Sequence, residues 1–116
     1  MSTWDALAAI PEPEGVTLYR MPPVSLWEEP GGLTVGVVIA TGTAGLEGGY
    51  ECRWEPLQVP LDVAHDLSRQ GPRAYLWPET GGLRGVTRWR IDVLGFIEQE
   101  AQDAFYAVCA AIDGAC

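Results

Sequence analysis

Three side chains between residues 61 and 69 have the types and the spacing of metal ligands. Asp62, His65 and Asp66 stand at positions i, i+3 and i+4, so a helix would place them on one side. A His–Asp set of this kind occurs in metal-dependent phosphohydrolases, whose sites take further histidine and aspartate ligands. His65 is the only histidine of the chain, and the cysteines form no cluster. We therefore predict no metal site and no cofactor, and we expect a partly buried helix with a solvated acidic side.

A glycine-rich stretch, TGTAGLEGG at residues 41–49, follows an apolar segment that is typical of a strand. Glycine-rich loops in this position bind phosphate in nucleotide-binding folds. The glycine spacing here matches neither the GxGxxG nor the GxxxxGK[ST] pattern, and a strand-like segment follows instead of a helix. We expect a mobile hairpin loop that becomes ordered against a partner.

Carboxylate pairs and nucleophiles are the remaining candidates for chemistry. General acid–base catalysis needs two carboxylates that converge across a cleft, and nothing in the spacing of Glu51 and Glu55 forces them to converge. No serine stands in a GxSxG sequence. Cys52 could form a dyad with His65, but an unreactive thiol is the simpler interpretation. We predict that the protein is not an enzyme, has no catalytic residue and takes no small-molecule substrate.

The composition is that of one small acidic domain. A chain of 116 residues supports a single core, so we predict one domain over residues 1–116. Sixteen acidic residues oppose seven basic ones, all arginine, which gives a net charge of −9 and excludes lysine-dependent chemistry. This balance argues against wrapping nucleic acid, because phosphate binding needs cationic side chains. It suits a basic partner, or a surface past which DNA moves without sticking.

The sequence also predicts no membrane partner. No segment has the length and apolar content of a transmembrane helix, and the N-terminal residues lack the basic and apolar regions of a signal peptide. The three cysteines, an odd number without CxxC spacing, are expected to be free thiols in a reducing compartment.

Turn and breaker residues divide the chain before residue 80 into short elements. Helices are predicted over residues 3–10, ended by Pro11, and over residues 61–69, ended by Gly71 and Pro72. Apolar or alternating runs predict strands over residues 16–21, 24–28, 33–40, 50–54 and 74–77. Residues 57–59 are expected to form only a fragment, because Pro56 and Pro60 bracket them.

The strongest periodic signals lie back to back near the C-terminus. Residues 86–96 alternate, which predicts a half-buried strand with Trp89, Ile91 and Val93 on the inner side. Its outer side is expected to carry Arg88, Arg90 and Asp92.

The period then becomes helical. One apolar stripe contains Ile97, Ala101, Ala104, Phe105, Val108 and Ile112. Acidic residues occupy the first turn of this predicted helix, over residues 97–112, and Gly114 is placed to end it. The predicted fold is α+β: a small mixed or antiparallel sheet of four to five strands, a short N-terminal helix, and a long C-terminal helix packed on one face.

The final strand and helix resemble part of a known family. The segment RWRIDVLGF, followed by the alanine-rich IEQEAQDAFYAVCAAIDG, resembles the tail-terminator proteins of long-tailed bacteriophages, which are tail-completion or head–tail joining proteins. In that family the last strand alternates polar and apolar residues, ends in a small or aromatic pair, and leads into a helix with Glu-Ala steps. The resemblance covers about the last third of the chain, and residues 50–77 have no counterpart in it.

The resemblance implies an α/β subunit of a hexameric ring in the virion, assembled in the host cytoplasm. Such a ring stops growth of the tail tube and joins the tube to the neck. Its partners are further copies of itself, the tail-tube protein and a neck or connector protein. DNA passes through the lumen without specific binding, which the acidic balance suits, and the family carries no catalytic residues.

Two stretches are the predicted interface with other subunits or partners. Residues 41–49 are glycine-rich and nearly uncharged, and residues 77–83 join a tryptophan to a glycine pair. The arginines beside the last strand are expected to meet Glu47, Glu51 or Glu55 of the adjacent subunit, or else to pair within the chain. The predicted interface residues are Thr41, Gly42, Thr43, Gly45, Leu46, Glu47, Trp77, Glu79, Leu83, Arg84, Arg88 and Arg90.

Two other functions fit the same sequence. A small acidic inhibitor or immunity protein would use its carboxylates and five tryptophans to cover a basic toxin or nuclease. Another connector ring of the phage neck, such as a stopper, would keep the virion setting. An inhibitor should stay monomeric and bind one partner, whereas a ring subunit should form oligomers, so the oligomeric state separates these functions.

Overall fold

A computed structural model describes residues 3–20, 34–45, 51–80 and 86–115. The elements in chain order are α1 (Thr3–Ala9), β1 (Thr17–Tyr19), β2 (Thr34–Gly45), β3 (Glu51–Pro60), α2 (Leu61–Gln70), β4 (Arg73–Thr80), β5 (Val86–Gly95) and α3 (Glu98–Ala115). The α+β class, the short N-terminal helix and the long C-terminal helix are as the sequence predicts. The strand predicted over residues 24–28 lies outside the described residues.

The strand that leads into the last helix is the central strand of the sheet. The strand order is β1-β4-β5-β2-β3. β5 pairs antiparallel with β4 and with β2, and β2 pairs antiparallel with β3, whereas β1 is parallel to β4. The five-stranded sheet is therefore mixed, and its two edges are β1 and β3.

One face of the sheet packs against α1 and α3. Phe105 and Val108 of α3 are fully buried in the same apolar cluster as Trp89, Ile91 and Val93 of β5. The predicted packing of the C-terminal helix on the last strand is confirmed. Burial of side chains of this size supplies the main stabilising free energy of such a core.

Residues 41–45, predicted as part of a mobile loop, are instead the second half of β2. Thr34–Gly45 is one strand of 12 residues, paired with β3 on one side and with β5 on the other. A Cβ atom at Gly42 would clash with the backbone carbonyl oxygen of Glu51 and lie 2.6 Å from Cζ of Phe105, so the glycine permits the close approach of both β3 and α3. The rest of the predicted loop, residues 46–49, lies outside the described residues.

The opposite face of the sheet packs against α2 along part of its length. Ala64 and Leu67 of α2 lie in a buried cluster with residues of four strands. Those strand residues are Val37, Ile39, Val59, Tyr75 and Leu94. The helix ends at Gly71, whose φ of +81° is the left-handed conformation that glycine adopts readily, as its sequence predicts.

Three local predictions are wrong. β3 runs unbroken through Pro56, because proline is tolerated in an edge strand where its missing N–H faces away from the neighbouring strand. Ile97 is 61% exposed and precedes α3, because the Phe96 N–H donates to Oε2 of Glu100 at 3.1 Å and this bond turns the chain just before the helix. Gly114 lies within α3, because its backbone is not in the left-handed conformation of a capping glycine.

Candidate functional site

Beyond α2, the same face of the sheet is polar, and no described element covers it. A cavity of about 660 Å³ lies on this polar part of the sheet. The cavity is lined by Thr41, Gly42, Thr43, Glu51, Arg53, Glu55, Glu79 and Arg90. We call these residues, together with Trp77 and Arg88, the open sheet face.

Strand register brings the two predicted interface stretches together on this surface. Directly paired residues of neighbouring strands point to the same face of a sheet. Six of the predicted interface residues are paired in this way across β2, β5 and β4. One set of paired residues is Thr43, Arg90 and Trp77, and the next is Gly45, Arg88 and Glu79. Residues 77–80 are part of β4 rather than of a loop. The other predicted interface residues, Leu46, Glu47, Leu83 and Arg84, lie outside the described residues.

Arg88 pairs with Glu79 within the chain. Its Nε lies 2.8 Å from Oε2 of Glu79, and the two side chains are 60% and 39% exposed. An exposed pair of this kind stabilises a fold by about 0.2–1 kcal/mol. Of the two arrangements that the sequence left open for this arginine, the contact within the chain is present.

Arg90 has two kinds of contact within the chain. Its Nε lies 3.3 Å from Oδ2 and 3.5 Å from Oδ1 of Asp92. Its guanidinium carbon also lies over the ring of Trp77, 5.2 Å from the centroid. A cation over a tryptophan ring adds an attraction of about 0.5–1 kcal/mol, so Arg90 is fixed by a charge on one side and by an aromatic ring on the other.

Asp92, the acidic partner of Arg90, was predicted on the solvated side of the strand, and this prediction is wrong. The residue is fully buried, because it pairs with Thr41 of β2 and with Tyr75 of β4 in the middle of the sheet. The Thr41 hydroxyl donates to Oδ1 at 2.5 Å. A buried carboxylate needs a charge partner and hydrogen bonds. Arg90 supplies the charge, and Arg90 and Thr41 both donate to Oδ1, whereas Oδ2 accepts no hydrogen bond from the described residues. The alternation along β5 gave no signal of this burial.

The acidic residues of β3 lie on the same surface as the arginines. Glu51, Arg53 and Glu55 pair with Thr43, Thr41 and Ile39 of β2, which places all three on the open sheet face. They are exposed. Sequence reasoning named the two glutamates and missed Arg53, whose position between them becomes apparent only once β3 is known to be a continuous strand.

The possible metal ligands of α2 do not assemble into a site. Asp66 forms an ion pair with Arg73, and the hydroxyl of Ser68 donates to the backbone carbonyl of His65 at 2.6 Å. Within the described ranges there is no group of three or more histidine, cysteine, aspartate or glutamate side chains placed to hold a metal ion.

Two described cysteines lie on the α3 side of the sheet, and both are free thiols. Burial raises the pKa of Cys109 to about 12, and the nearby Cys52 thiol adds to the rise. Burial also raises the pKa of Cys52. Since the thiolate is the nucleophile, both thiols are unreactive at neutral pH.

A second surface feature lies at the opposite end of the sheet and on its opposite face. It is a groove of about 520 Å³ between the chain before β1 and the start of α3. Its lining includes Glu14, Ile97, Gln99, Glu100 and Asp103, and we call these five residues the acidic groove. The exposed Ile97, next to the 40% exposed Phe96, gives it an apolar border.

None of the described helices is long and apolar enough to cross a membrane. Comparison with known proteins adds no relative: no family model matches the sequence, and neither the curated proteins nor the solved structures contain a significant match.

Proposed function

We propose that this protein is a structural subunit of a ring at the head–tail junction of a long-tailed bacteriophage, where it terminates the tail tube and joins it to the neck. The setting and the partners come from the resemblance of residues 88–112 to tail-terminator proteins. Two features of the fold support it: β5 is the central strand and α3 packs directly on it, and a sheet with helices is the kind of subunit that the resemblance implies.

The observation that carries the proposal is the pair of unlike surfaces at opposite ends of the sheet. A closed ring of more than two subunits uses head-to-tail contacts, so each subunit must present two different and complementary surfaces. The open sheet face lies at the end where β4 finishes and β5 begins, as the pairing of Glu79 with Arg88 shows. The acidic groove lies at the other end, on the α3 side.

Charge and shape suit a contact between these two surfaces. Arg88 projects from the open sheet face with 60% of its side chain exposed. A guanidinium has five N–H donors, so its pairing with Glu79 leaves capacity for a carboxylate of a second subunit. Glu14 and Asp103 offer such carboxylates in the acidic groove. Because Glu51 and Glu55 share a surface with the arginines, the groove replaces them as the proposed counterpart in the next subunit.

A charge swap tests the head-to-tail contact. Arg88→Glu alone and Asp103→Arg alone should each abolish rings in mass photometry and electron microscopy, because each places like charges across the contact. The double variant in one chain should restore them. Arg69→Glu, on the exposed side of α2, is the matched control and should assemble normally. Arg90 is left unchanged because it neutralises the buried Asp92.

The junction role is tested with purified tail tubes. Rings that bind the end of a tube and stop its elongation support the terminator role, whereas rings that bind only a neck protein favour a stopper. A chain that forms no ring at any concentration, alone or with tail-tube protein, would overturn the proposal and make the acidic inhibitor the better account.

A further inference from the structure

β3 is a long edge strand with an unusual charge pattern. It spans Glu51–Pro60, ten residues, and in the described part of the chain no strand lies on its outer side. An edge strand presents a row of backbone N–H and C=O groups to any chain that can pair with it. Trp54, near the middle of this edge, is 44% exposed.

The strand is complementary to itself about Trp54. If two copies pair antiparallel with Trp54 opposite Trp54, residue 53 of each copy stands opposite residue 55 of the other. Arg53 then meets Glu55 twice, once on each side of the two-fold axis. A shift of the centre by one residue would instead place Arg53 opposite Arg53, or Glu55 opposite Glu55. Opposite charges directly across a ladder favour pairing and like charges disfavour it.

We infer that two copies of this chain associate through β3, antiparallel and centred on Trp54, and join their two five-stranded sheets into one continuous sheet. The contact is isologous, so it is distinct from the head-to-tail contact of the ring and does not depend on it.

In the combined sheet, the tryptophans and the charged residues of the two β3 strands lie on opposite faces. Trp54 pairs with Ala40 of β2, which places it on the α3 side, where it meets its copy across the axis. Arg53 and Glu55 lie on the other side, so the two open sheet faces become one surface with the charge pairs at its centre. In the Trp54-centred register Pro56 stands opposite Cys52 of the other copy and donates no N–H to it, so Cys52 and Trp54 supply the backbone N–H donors across the axis.

A second copy fits this edge better than an unrelated partner does. The edge alternates acidic and basic residues instead of carrying one sign, so a uniformly basic or acidic strand would face at least one like charge. A second copy of β3, running antiparallel, gives both Arg53 and Glu55 a partner of opposite charge. The same register places the two tryptophans opposite each other.

The test uses two variants that should each form homodimers poorly but should form a heterodimer when mixed. Arg53→Glu and Glu55→Arg each create like-charge pairs in a homodimer, so each should raise the dimer dissociation constant in sedimentation velocity by about tenfold or more. An equimolar mixture should form heterodimers, because both pairs are then of opposite charge. All measurements are made in an Arg88→Glu background, so that ring assembly and this contact are scored separately.

The control is Arg69→Glu, an exposed charge reversal on α2 that should leave the dimer unchanged. A parent chain that remains monomeric at millimolar concentration would overturn the inference, as would a mixture of the two variants that remains monomeric. Rescue of Arg53→Glu by Glu51→Arg, and not by Glu55→Arg, would overturn the Trp54-centred register.

Discussion

The two halves of the α2-side face of the sheet are built from the same strands, yet they are held in different ways. In the covered half, Ile39 and Leu94 are buried with Leu67 of α2, and the strands are enclosed on both faces. In the open half, Thr43 and Arg90 occupy the equivalent positions on β2 and β5. Among the described residues, that half is packed only on its opposite side, where Phe105 approaches Gly42. A polar surface is thus presented on a regular sheet instead of on a loop.

The largest expected effect comes from removing the support behind the open half. Phe105→Ala should lower the free energy of unfolding by about 3–5 kcal/mol, because a fully buried aromatic ring is replaced by a cavity. Hydrogen exchange should rise first at Thr41 and Thr43, ahead of the strand segments beneath α2. Equal protection loss in both halves would contradict the claim that they are held separately.

Removing the cover from the other half is the reciprocal change. Leu67→Ala should cost about 2–5 kcal/mol in urea unfolding, because Leu67 is the largest buried side chain of α2. Its effect on hydrogen exchange should concentrate at Ile39 and Leu94. Val63→Ala, on the partly buried side of the same helix, serves as the smaller matched change.

Alanine substitutions at two glycines of β2 test whether the packing is tighter at Gly42, behind the open half, than at Gly36. Gly42→Ala should destabilise by about 1–3 kcal/mol, because its Cβ would clash with the backbone carbonyl oxygen of Glu51 and lie 2.6 Å from Cζ of Phe105, so that strand β3 or the ring must move. Gly36→Ala in the same strand is the control, since its Cβ would stand 3.5 Å from Nε2 of Gln58, an ordinary contact. Equal midpoints for the two alanine variants in thermal unfolding would refute the tight packing at Gly42.

The smallest effect is expected on the open surface itself. A double-mutant cycle with Arg88→Ala and Glu79→Ala should give a coupling energy of about 0.2–1 kcal/mol, which salt should reduce, because both side chains are substantially exposed. A coupling well above this range, insensitive to salt, would show that the pair is shielded from water.

Periodicity predicted the centre of the fold and failed where tertiary contacts override local preference. The alternation through Trp89, Ile91 and Val93 and the helical stripe through Phe105 were sufficient, because each element has a single apolar side facing one core. Residues 41–45 were predicted as a loop because glycine and threonine give no apolar alternation. What makes them an interior strand is their pairing with β3 and β5, and the glycine at position 42 leaves space for Phe105, which lies about sixty residues further along the chain.

The candidate site was predictable in its membership more than in its geometry. Residues near 41–45 and 77–90 were expected at subunit interfaces, with the arginines meeting glutamates of the adjacent subunit. Strand register instead places the described ones on one surface of the same chain. The burial of Asp92 could not be read from β5 alone, because it depends on which residues stand beside it on two other strands. Arg53 was missed for a related reason: it is a candidate interface residue only because it lies between Glu51 and Glu55 on one continuous edge strand.

The hydrogen bond between Thr41 and Asp92 has a consequence for how the chain reaches this structure. It joins residues separated by 51 positions, whereas β2 with β3 and β4 with β5 are neighbours in sequence. Long-range pairing pays a larger loop-closure entropy, so the two local hairpins should form before they join. We expect the surface shared by β5 and β2 to form only after the main folding barrier is crossed. Thr41→Ala should accordingly speed unfolding in stopped-flow measurements and leave the refolding rate nearly unchanged, and a slowed refolding would place the joining of the hairpins in the transition state.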